Sequence, residues 1–448
     1  MTAKPIKEAV TVVFKCQEKI YAIKRQNFLR AFPGYTAFPG GQVDKADAHH
    51  GAGQSMPTLF RPFAKNLMQA LCREVQEELD FDLLAYARDN KVLALTELGI
   101  ALTPEFNPYR FKTFFFLIEL SAEISFHPDS NEISQGQWQS AQQWMRDFSQ
   151  NRIMAVPPTV KVFKALAQDP PVRQGLDLNL TYDPQREVPM IESLAGVKQF
   201  LPLSNTFPPA LRTNCFLIGK KLIDPSPKDQ HEYKKLKNSV TKFPIQEIFL
   251  THHHPDHHEH AVQLALELKI PMGMSADTYQ RILGKWGGDY FQQVAIKFYK
   301  EGDTLTTVEE KAIKIFSVPG HDAGQLALAP QDNTWFLVGD LIQTVGTVVI
   351  GAPEGDMQEY FNSLERIIAL NPSFIIPSHG IATGGVQRLQ ATLEHRQMRE
   401  QQIVTLLKTG ATEEQILQTL YPTIAASLQK YARKTIRAHL NKISTSSL

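Results

Sequence analysis

The residues best able to do chemistry lie in one short stretch, Thr-His-His-His-Pro-Asp-His-His, at positions 251–258. Within it, His252, His254, Asp256 and His257 form a His-x-His-x-Asp-His pattern. Two histidines one residue apart on an extended turn can point at one ion, and the Asp-His pair that follows can reach a second ion. Neutral imidazole nitrogen and carboxylate oxygen are ligands of catalytic zinc sites. The stretch therefore predicts a metal centre.

The elements that must position these side chains are short apolar strands. The run at 245–250 predicts a buried strand that leads directly into the histidine stretch. Three later runs of the same kind each end in a potential ligand: 313–318 before His321, 335–338 before Asp340, and 374–376 before His379. Because strand ends are where a rigid scaffold positions functional loops, we expect these side chains to meet.

Taken in this order, these residues resemble the metallo-β-lactamase superfamily over roughly residues 205 to 379. The resemblance implies an αβ/βα sandwich and a site for two zinc ions, with manganese or iron as alternatives. It further implies which residues bind each ion. One ion would be bound by His252, His254 and His321, and the other by Asp256, His257 and His379. Asp340 would bridge both ions. A bridging aspartate resembles the hydrolases of thioesters, phosphodiesters and RNA, in which Asp256 would orient the attacking water.

Several polar residues near the motif are left outside these ligand sets. We expect His253, His258 and His260 to be solvated or to support the ligands. Asp224 follows a predicted strand and is often found near the metal site in that superfamily, but we do not predict it to be a ligand. Glu259 and His260 stand where much of the superfamily has small residues, which bears on the substrate class.

A second group of chemically suggestive residues lies near the N-terminus. The glycine- and proline-rich segment 32–44 contains Gly40 and Gly41, whose backbone amides could approach a phosphate closely. Segment 64–79 predicts a helix with an apolar stripe at every fourth residue. Another face of this helix carries Glu74, Glu77 and Glu78, whose spacing lets the carboxylates converge. Magnesium, which prefers oxygen ligands, would supply the counter-ion.

Gly40-Gly41 followed by the run Arg73-Glu74-Val75-Gln76-Glu77-Glu78 resembles the Nudix box, and the likeness extends over about residues 8 to 165. The segment from 32 to 47 is most similar to the coenzyme A diphosphatase branch. The resemblance implies an α/β/α sandwich that binds magnesium or manganese through Glu74, Glu77 and Glu78. Glu74 and Glu78 would be catalytic, and Gly40, Gly41 and Arg73 would bind a nucleoside diphosphate derivative such as coenzyme A. Two positions depart from the box: Asp47 replaces a glutamate, and Asp80 replaces the glycine that ends the helix.

Beyond residue 390 the chain predicts helices. Gly410 is a plausible helix end, Thr412 a plausible N-cap, and 425–443 a further helix. This last helix carries Lys430, Arg433, Lys434, Arg437 and Lys442. The tail resembles the small winged-helix-like end of glyoxalase-II-like proteins, a branch that includes a single-strand-specific ribonuclease. Its cations are typical of a solvated helix face, and contact with single-stranded RNA or packing in a homodimer remain alternatives.

At 448 residues the chain predicts several domains. We expect a mixed α/β and α+β protein with a Nudix domain at 1–170, a proline-rich linker at 171–204, a lactamase-fold domain at 205–390 and a helical domain at 391–448. The predicted function is a two-site hydrolase of a thioester or phosphodiester and of a nucleoside diphosphate derivative. The alternative is an RNA-processing nuclease whose N-terminal domain only senses a nucleotide-like ligand.

Composition indicates which partners and which cellular compartment to expect for the protein. The formal net charge of +1, from 47 basic and 46 acidic side chains, gives no overall field for nucleic acid or membrane. Three widely spaced cysteines indicate a reducing compartment without a disulfide framework. Residues 1–5 show no apolar leader, and no apolar run is long enough to span a membrane. We therefore expect a cytoplasmic protein with small-molecule substrates.

Overall fold

The computed structural model describes residues 5–48, 56–107 and 109–446. The opening residues inspected for a leader, and the middle of the long insertion before the first helix, lie outside the described residues. The chain divides into two compact units, Met1–Thr181 with Ile191–Ala195, and Tyr182–Met190 with Gly196–Leu448. The expected boundary at 170 therefore differs from the observed division, because short strands from the predicted linker belong to the units themselves.

The N-terminal unit is built on one mixed sheet with four helices. The sheet has the strand order β3-β2-β1-β6-β5-β8, with β4 paired to β1 and β7 paired to β2. Its strands are β1 (Lys7–Cys16), β2 (Lys19–Arg25), β3 (Thr36–Ala37), β4 (Gly40–Gln42), β5 (Val92–Leu102), β6 (Phe111–Leu120), β7 (Ile133–Ser140) and β8 (Leu176–Asp177). Its helices are α1 (Lys65–Leu79), α2 (Leu83–Arg88), α3 (Ala141–Ser149) and α4 (Pro157–Leu166).

Alternation of side chains along the strands gives this sheet two apolar faces. Val12 and Phe14 of β1 pack in one cluster with Leu71 and Val75 of α1. Val13, between them, packs in another cluster with residues of α3 and α4. Helices therefore cover both faces of the sheet. The helix predicted at 64–79 is confirmed as α1, and Asp80 ends it in the left-handed conformation with φ 51°.

The second unit contains two sheets. The first has strands in the order β15-β14-β13-β12-β11-β10, and the second has the order β16-β17-β18-β19-β20-β21. The strands, with β9 where the chain passes between the units, are β9 (Met190–Leu194), β10 (Val197–Phe200), β11 (Cys215–Ile218), β12 (Lys221–Ile223), β13 (Glu247–Phe249), β14 (Met272–Met274), β15 (Ile296–Phe298), β16 (Thr304–Val308), β17 (Lys311–Ser317), β18 (Leu326–Pro330), β19 (Trp335–Leu337), β20 (Phe374–Ile376) and β21 (Thr383–Gly384).

Helices pack on each of these sheets. The helices are α5 (Gln230–Val240), α6 (Pro255–His258), α7 (Ala261–Leu268), α8 (Ala276–Trp286), α9 (Met357–Leu370), α10 (Gln387–Lys408), α11 (Glu413–Leu420) and α12 (Ala426–Ser446). Residues of α5, α7 and α8 share an apolar cluster with the first sheet. Residues of α9, α10 and α12 share one with the second sheet. These layers match the αβ/βα arrangement expected for this part of the chain.

The C-terminal end is helical, as predicted. Thr412 forms a capping box with Gln415 at the start of α11, and Gly410, with φ 77°, follows the end of α10. Ile403, Ile416 and Ile436 form a small core between α10, α11 and α12. Within residues 387–446 the structure contains three helices and no strand, so a wing is missing from this described segment. None of the helices in the described part of the chain combines the length and apolar character needed to cross a membrane.

Candidate functional site

The histidine motif lies where the carboxyl ends of several strands meet. β12 and β13 run parallel, and β13 ends at Phe249, just before the motif. In the other sheet, β19 and β20 are parallel, and β17 has the same direction because β18 is antiparallel to both β17 and β19. His321, Asp340 and His379 follow β17, β19 and β20. The topology therefore brings all four strand-end segments to one place, as the sequence predicts.

The first group of side chains consists of three histidines. Nδ1 of His254 lies 3.0 Å from Nε2 of His252 and 2.9 Å from Nε2 of His321. The three nitrogens are all within 4.8 Å of one another, which is close enough to share an ion. His252 is fully buried and His321 is 7% exposed, so the protein encloses this group from water on most sides.

The second group consists of Asp256, His257 and His379, whose candidate ligand atoms also lie within 4.8 Å of one another. Asp340 lies between the two groups. Its Oδ1 is 3.3 Å from Nε2 of His379 and 3.7 Å from Nε2 of His257, whereas its Oδ2 is 3.7 Å from Nε2 of His321. One carboxylate thus directs one oxygen to each group, which is the geometry of a bridging ligand.

The chemistry of this donor set favours cations. Nε2 of His257, Nε2 of His379 and Oδ1 of Asp340 are buried and make no hydrogen bond of good geometry. A buried polar atom without a partner costs free energy, and three of them converging on one point cost more. Metal ions between the two groups would satisfy all three atoms, so the residues present fit a two-metal site.

Hydrogen bonds to the opposite ring nitrogens orient three of these histidines. Nδ1 of His257 donates to Oδ2 of Asp224 at 2.9 Å. Nδ1 of His321 donates to the carbonyl of Val349, and Nδ1 of His379 to the carbonyl of Arg212, each at 2.9 Å. Such contacts fix the tautomer and leave Nε2 free to bind an ion. The sequence gives no signal for the two carbonyls. Asp224 follows the end of β12, and its contact with His257 is one that the sequence does not predict.

Burial and neighbouring charge set the protonation of the site. Burial, reinforced by adjacent imidazoles, lowers the pKa of His252 and His254 well below the ordinary histidine value, so both are neutral as metal ligands must be. Burial opposes ionisation of Asp340, but the charges of His379 and His257 outweigh it and hold its pKa well below the usual range. Asp340 is therefore an anion even though it is 4% exposed.

The remaining histidines differ in their surroundings. Of the two alternatives expected for His253 and His258, solvation or support of the ligands, the structure excludes solvation, because they are 5% and 1% exposed. His253 contacts Asp322 through its ring, and His258 contacts Tyr290. His260 is half-buried, adopts a left-handed backbone conformation with φ 61°, and contacts Gln230. Asp322 was missed in the sequence because nothing local marks the residue after His321.

In the N-terminal unit, Arg73 contacts several acidic side chains of the Nudix-like segment. Its guanidinium contacts Asp47 Oδ2 at 3.0 Å, Glu74 Oε1 at 2.8 Å and Glu77 Oε2 at 3.0 Å. Gly41 lies against Glu74, since a Cβ at this position would come within 2.4 Å of the carboxylate. Asp47, whose place in the box departs from glutamate, is 3% exposed and belongs to this network.

Glu78 is held separately from Glu74 and Glu77. Its Oε2 accepts a hydrogen bond from the backbone N–H of Gly40 at 2.9 Å. Burial raises the pKa of Glu78 to about 8, and burial also raises the pKa of Glu74. Within the described residues, the side-chain groups close enough to share a metal do not include these glutamates. Arg73, rather than a preformed cation cradle, organises this face of α1.

The basic residues of α12 are largely neutralised by acids of the same unit. Arg433 pairs with Glu414 at 2.8 Å, and Arg437 pairs with Glu413 at 2.9 Å. Lys442 pairs with Glu400 at 2.6 Å, and Lys434 pairs with Glu354. These four cations therefore each have an acidic partner, whereas Lys430 lies over the ring of Tyr431.

Comparison with known proteins supports this description of the second unit. Residues 208–379 match the family model of the metallo-β-lactamase superfamily. The chain is 29% identical over 208 residues to a β-lactamase-like protein 2 homolog of Caenorhabditis elegans, covering 44% of this chain and 65% of that protein. It is 26% identical over 212 residues to an atrochrysone carboxyl ACP thioesterase of Aspergillus fumigatus, covering 45% of this chain and 62% of that protein. The matches therefore span somewhat less than two thirds of either relative.

Solved structures agree at the level of the fold. A β-lactamase domain protein from Burkholderia ambifaria aligns with a TM-score of 0.50 at 16% identity, covering 60% of this chain and 90% of that chain. Its similarity concerns the fold alone. Together with the superfamily match, it leads to one conclusion: the C-terminal part of this chain contains a domain of the metallo-β-lactamase type, matched over residues 208–379.

Proposed function

We propose that the second unit is a two-metal hydrolase that cleaves a thioester. The observation that carries this proposal is the position of Asp340, with one carboxylate oxygen directed at each of two histidine-containing groups. A single-metal site would need only one of these groups. The ligand sets that follow are His252, His254 and His321 for one ion, Asp256, His257 and His379 for the other, and Asp340 for both.

Two zinc ions held there would lower the pKa of water and polarise the bond to be cleaved, and manganese or iron could replace zinc. The chain itself supplies orientation. Asp224 holds the ring of His257, and carbonyl oxygens hold the rings of His321 and His379. Asp256, whose side chain is 16% exposed against 6% for Asp340, would orient the attacking water and accept a proton from it. The products would be a carboxylate and a thiol.

A thioester is favoured over the other candidate substrates for two reasons. One relative is named as a thioesterase that acts on an acyl carrier protein. The pairing of several α12 cations with acids also favours a thioester over RNA. A phosphodiester or single-stranded RNA therefore remains an outcome of the test below, not a second proposal.

The test uses the full chain with zinc or manganese and a panel of acyl-coenzyme A thioesters, a phosphodiester and short RNA. We expect turnover of a thioester that Asp340→Asn abolishes. Hydrolysis of RNA or the phosphodiester, without thioester turnover, would replace the proposed substrate class. No turnover of any of them by protein that carries two ions per chain would contradict the proposed class of substrate altogether.

A second function is supported for the N-terminal unit by the contacts of Arg73 and Glu78. We propose that this unit is a Nudix domain that binds the diphosphate of a nucleotide derivative such as coenzyme A. Gly40 and Gly41 would approach the phosphates, while Arg73 would exchange part of its carboxylate contacts for phosphate. Burial raises the pKa values of Glu74 and Glu78, although Glu74 contacts Arg73, and magnesium or manganese would supply further positive charge beside both carboxyls.

The two sites can be tested separately in one protein. Magnesium-dependent cleavage of coenzyme A should be lost in Glu78→Gln and kept in Asp340→Asn, whereas thioester cleavage should show the reverse. If coenzyme A binds without being cleaved, the unit is a sensor. If it neither binds nor is cleaved, the Nudix function is wrong for this ligand class.

A further inference from the structure

Two ligand-bearing loops of the lactamase-type site are joined by a pair of buried residues that do not belong to either ligand set. The ring of His253, through Nδ1, contacts Oδ2 of Asp322. His253 lies between His252 and His254 in the chain, and Asp322 follows His321. Both members of the pair are therefore covalent neighbours of the three-histidine group. Asp322 is fully buried and His253 is 5% exposed, so water cannot substitute for the contact.

Asp322 is itself anchored by the loop that carries it. Its Oδ1 accepts a hydrogen bond from the N–H of Gly324 at 2.7 Å. The carbonyl of Gly324 in turn accepts a hydrogen bond from the hydroxyl of Ser275, at the start of α8, at 2.8 Å. A Cβ at position 324 would lie 2.8 Å from that hydroxyl oxygen, so the loop is closely packed on α8. Asp322 is thus a fixed point against which His253 can be held.

His253 is also held through its backbone. Nε2 of His258 donates a hydrogen bond to the carbonyl of His253 at 3.1 Å, and Nδ1 of His258 accepts one from the hydroxyl of Tyr290 at 2.7 Å. The side chain of His253 and the carbonyl of His253 are therefore both held by contacts, and together they fix the peptide between His253 and His254. If this peptide could move, His254 would shift with it. Its Nδ1 lies within about 3 Å of two other ligand nitrogens, a distance that metal binding requires to be kept.

We propose that His253 and Asp322 are a positioning pair that keeps His252 and His254 in register with His321 for metal binding. The inference rests on the proposed two-metal function. It assigns the pair to one of the two ion sites, because the group of Asp256, His257 and His379 has its own support in Asp224. An ion bound by the three histidines should therefore depend on the pair, and the other ion should not.

The test measures zinc affinity in full-length protein by competition with a chromophoric chelator, which resolves the two ions without using activity. In His253→Ala and Asp322→Asn, we expect one ion to bind about 10- to 100-fold more weakly and the other to be unchanged, as for other contacts that orient metal ligands. His253→Asn, whose amide N–H replaces the ring Nδ1–H, should restore affinity close to wild type. Asp224→Asn should weaken the opposite ion, and His260→Asn should weaken neither.

Thermal unfolding of the metal-free proteins separates positioning from general stability. Lower melting temperatures in the two variants with unchanged zinc affinities would overturn the proposal, and so would equal loss of both ions. Three ions in the wild type that fall to two in His253→Ala would make the pair a ligand, since His253, His254 and Asp322 also lie within 4.8 Å of one another. A wild type that binds no zinc overturns the proposed function, whereas two ions bound with wild-type affinity in both variants overturn only this inference.

Discussion

Asp224 and His257 are joined by a hydrogen bond in which Nδ1 of His257 donates to Oδ2 of Asp224 at 2.9 Å. Asp224 also accepts two hydrogen bonds from Thr251. The N–H of Thr251 donates to one carboxylate oxygen at 2.8 Å, and its hydroxyl donates to the other at 2.6 Å. Both side chains have essentially no exposed area. The end of β12 is thereby connected to the beginning and the end of the histidine motif.

Asp224→Asn should lower the affinity for the ion held by Asp256, His257 and His379 by about 10- to 100-fold, because an amide can donate to the ring and select the wrong tautomer. Zinc titration against a chelator measures the change. Glu232→Gln, which alters another buried carboxylate of the same unit away from the motif, serves as the matched control. Equal zinc affinities in Asp224→Asn and wild type would contradict this role.

Asp340→Asn should abolish hydrolysis while leaving the fold intact. The substitution removes the charge that faces both groups but keeps the side-chain shape and the backbone N–H that donates to Gln325 at 3.3 Å. Circular dichroism and metal analysis should show a folded protein with fewer than two ions per chain. Wild-type turnover in this variant would exclude Asp340 as a bridge.

Magnesium should raise the melting temperature of the N-terminal unit in the full chain, and a diphosphate ligand should raise it further, since a ligand that binds only the folded state stabilises it. The double substitution Glu77→Gln with Glu78→Gln should remove this effect. Without magnesium it should leave stability level or slightly higher, because Glu78 is buried with a pKa of about 8. Glu18→Gln, in the exposed β1–β2 turn, should keep the response to magnesium. A unit indifferent to magnesium and diphosphate would be a scaffold.

Stability of the C-terminal helices should fall as the pH drops from about 6.5 to about 4, through His439. Burial lowers the pKa of His439 to about 4, although Glu400 lies 3.0 Å from its Nδ1. Below pH 6.5 the unfolded chain binds a proton that the folded chain does not, so the unfolded state is stabilised and the free energy of unfolding falls. The expected effect is on the order of 3 kcal/mol.

His439→Asn keeps a donor for Glu400 but cannot titrate, so it should flatten this part of the pH dependence. Urea unfolding of wild type and variant at pH 4.5 and 7 measures the difference, with exposed His231→Asn as the control. The positive charges of the neighbouring Arg396 and Lys442 also lower the pKa of His439. A variant with the same loss of stability at pH 4.5 as wild type would show that another group is responsible.

A fragment that ends at residue 195 should be more stable than one that ends at residue 170. The shorter fragment lacks β8, which pairs with β5, and the 191–195 segment, whose Ser193 carbonyl accepts a hydrogen bond from Ala155 at 3.0 Å. Thermal unfolding of the two fragments compares them. If both unfold at the same temperature, the observed division of the chain does not describe its folding units.

The sequence alone was enough to locate the strands and the strand-end side chains of the metal site. Alternating and continuous apolar runs are local signals, and β20 was predicted to the residue at 374–376. His252, His254 and Asp256 are close in the chain, so their shared direction follows from local geometry. The sequence marks Asp80 as a departure from the glycine that ends the related helix, and the structure shows that Asp80 nevertheless adopts the left-handed conformation.

Tertiary structure decided what those side chains contact. The carbonyls of Arg212 and Val349, the pairing of His253 with Asp322 and the acids that neutralise α12 all involve residues far apart in the chain. Long-range contacts depend on how sheets and helices pack, which a local pattern does not encode. For the same reason the sequence leaves open whether His253 and His258 are solvated or support the ligands, whereas their burial makes them part of the framework around the ligands.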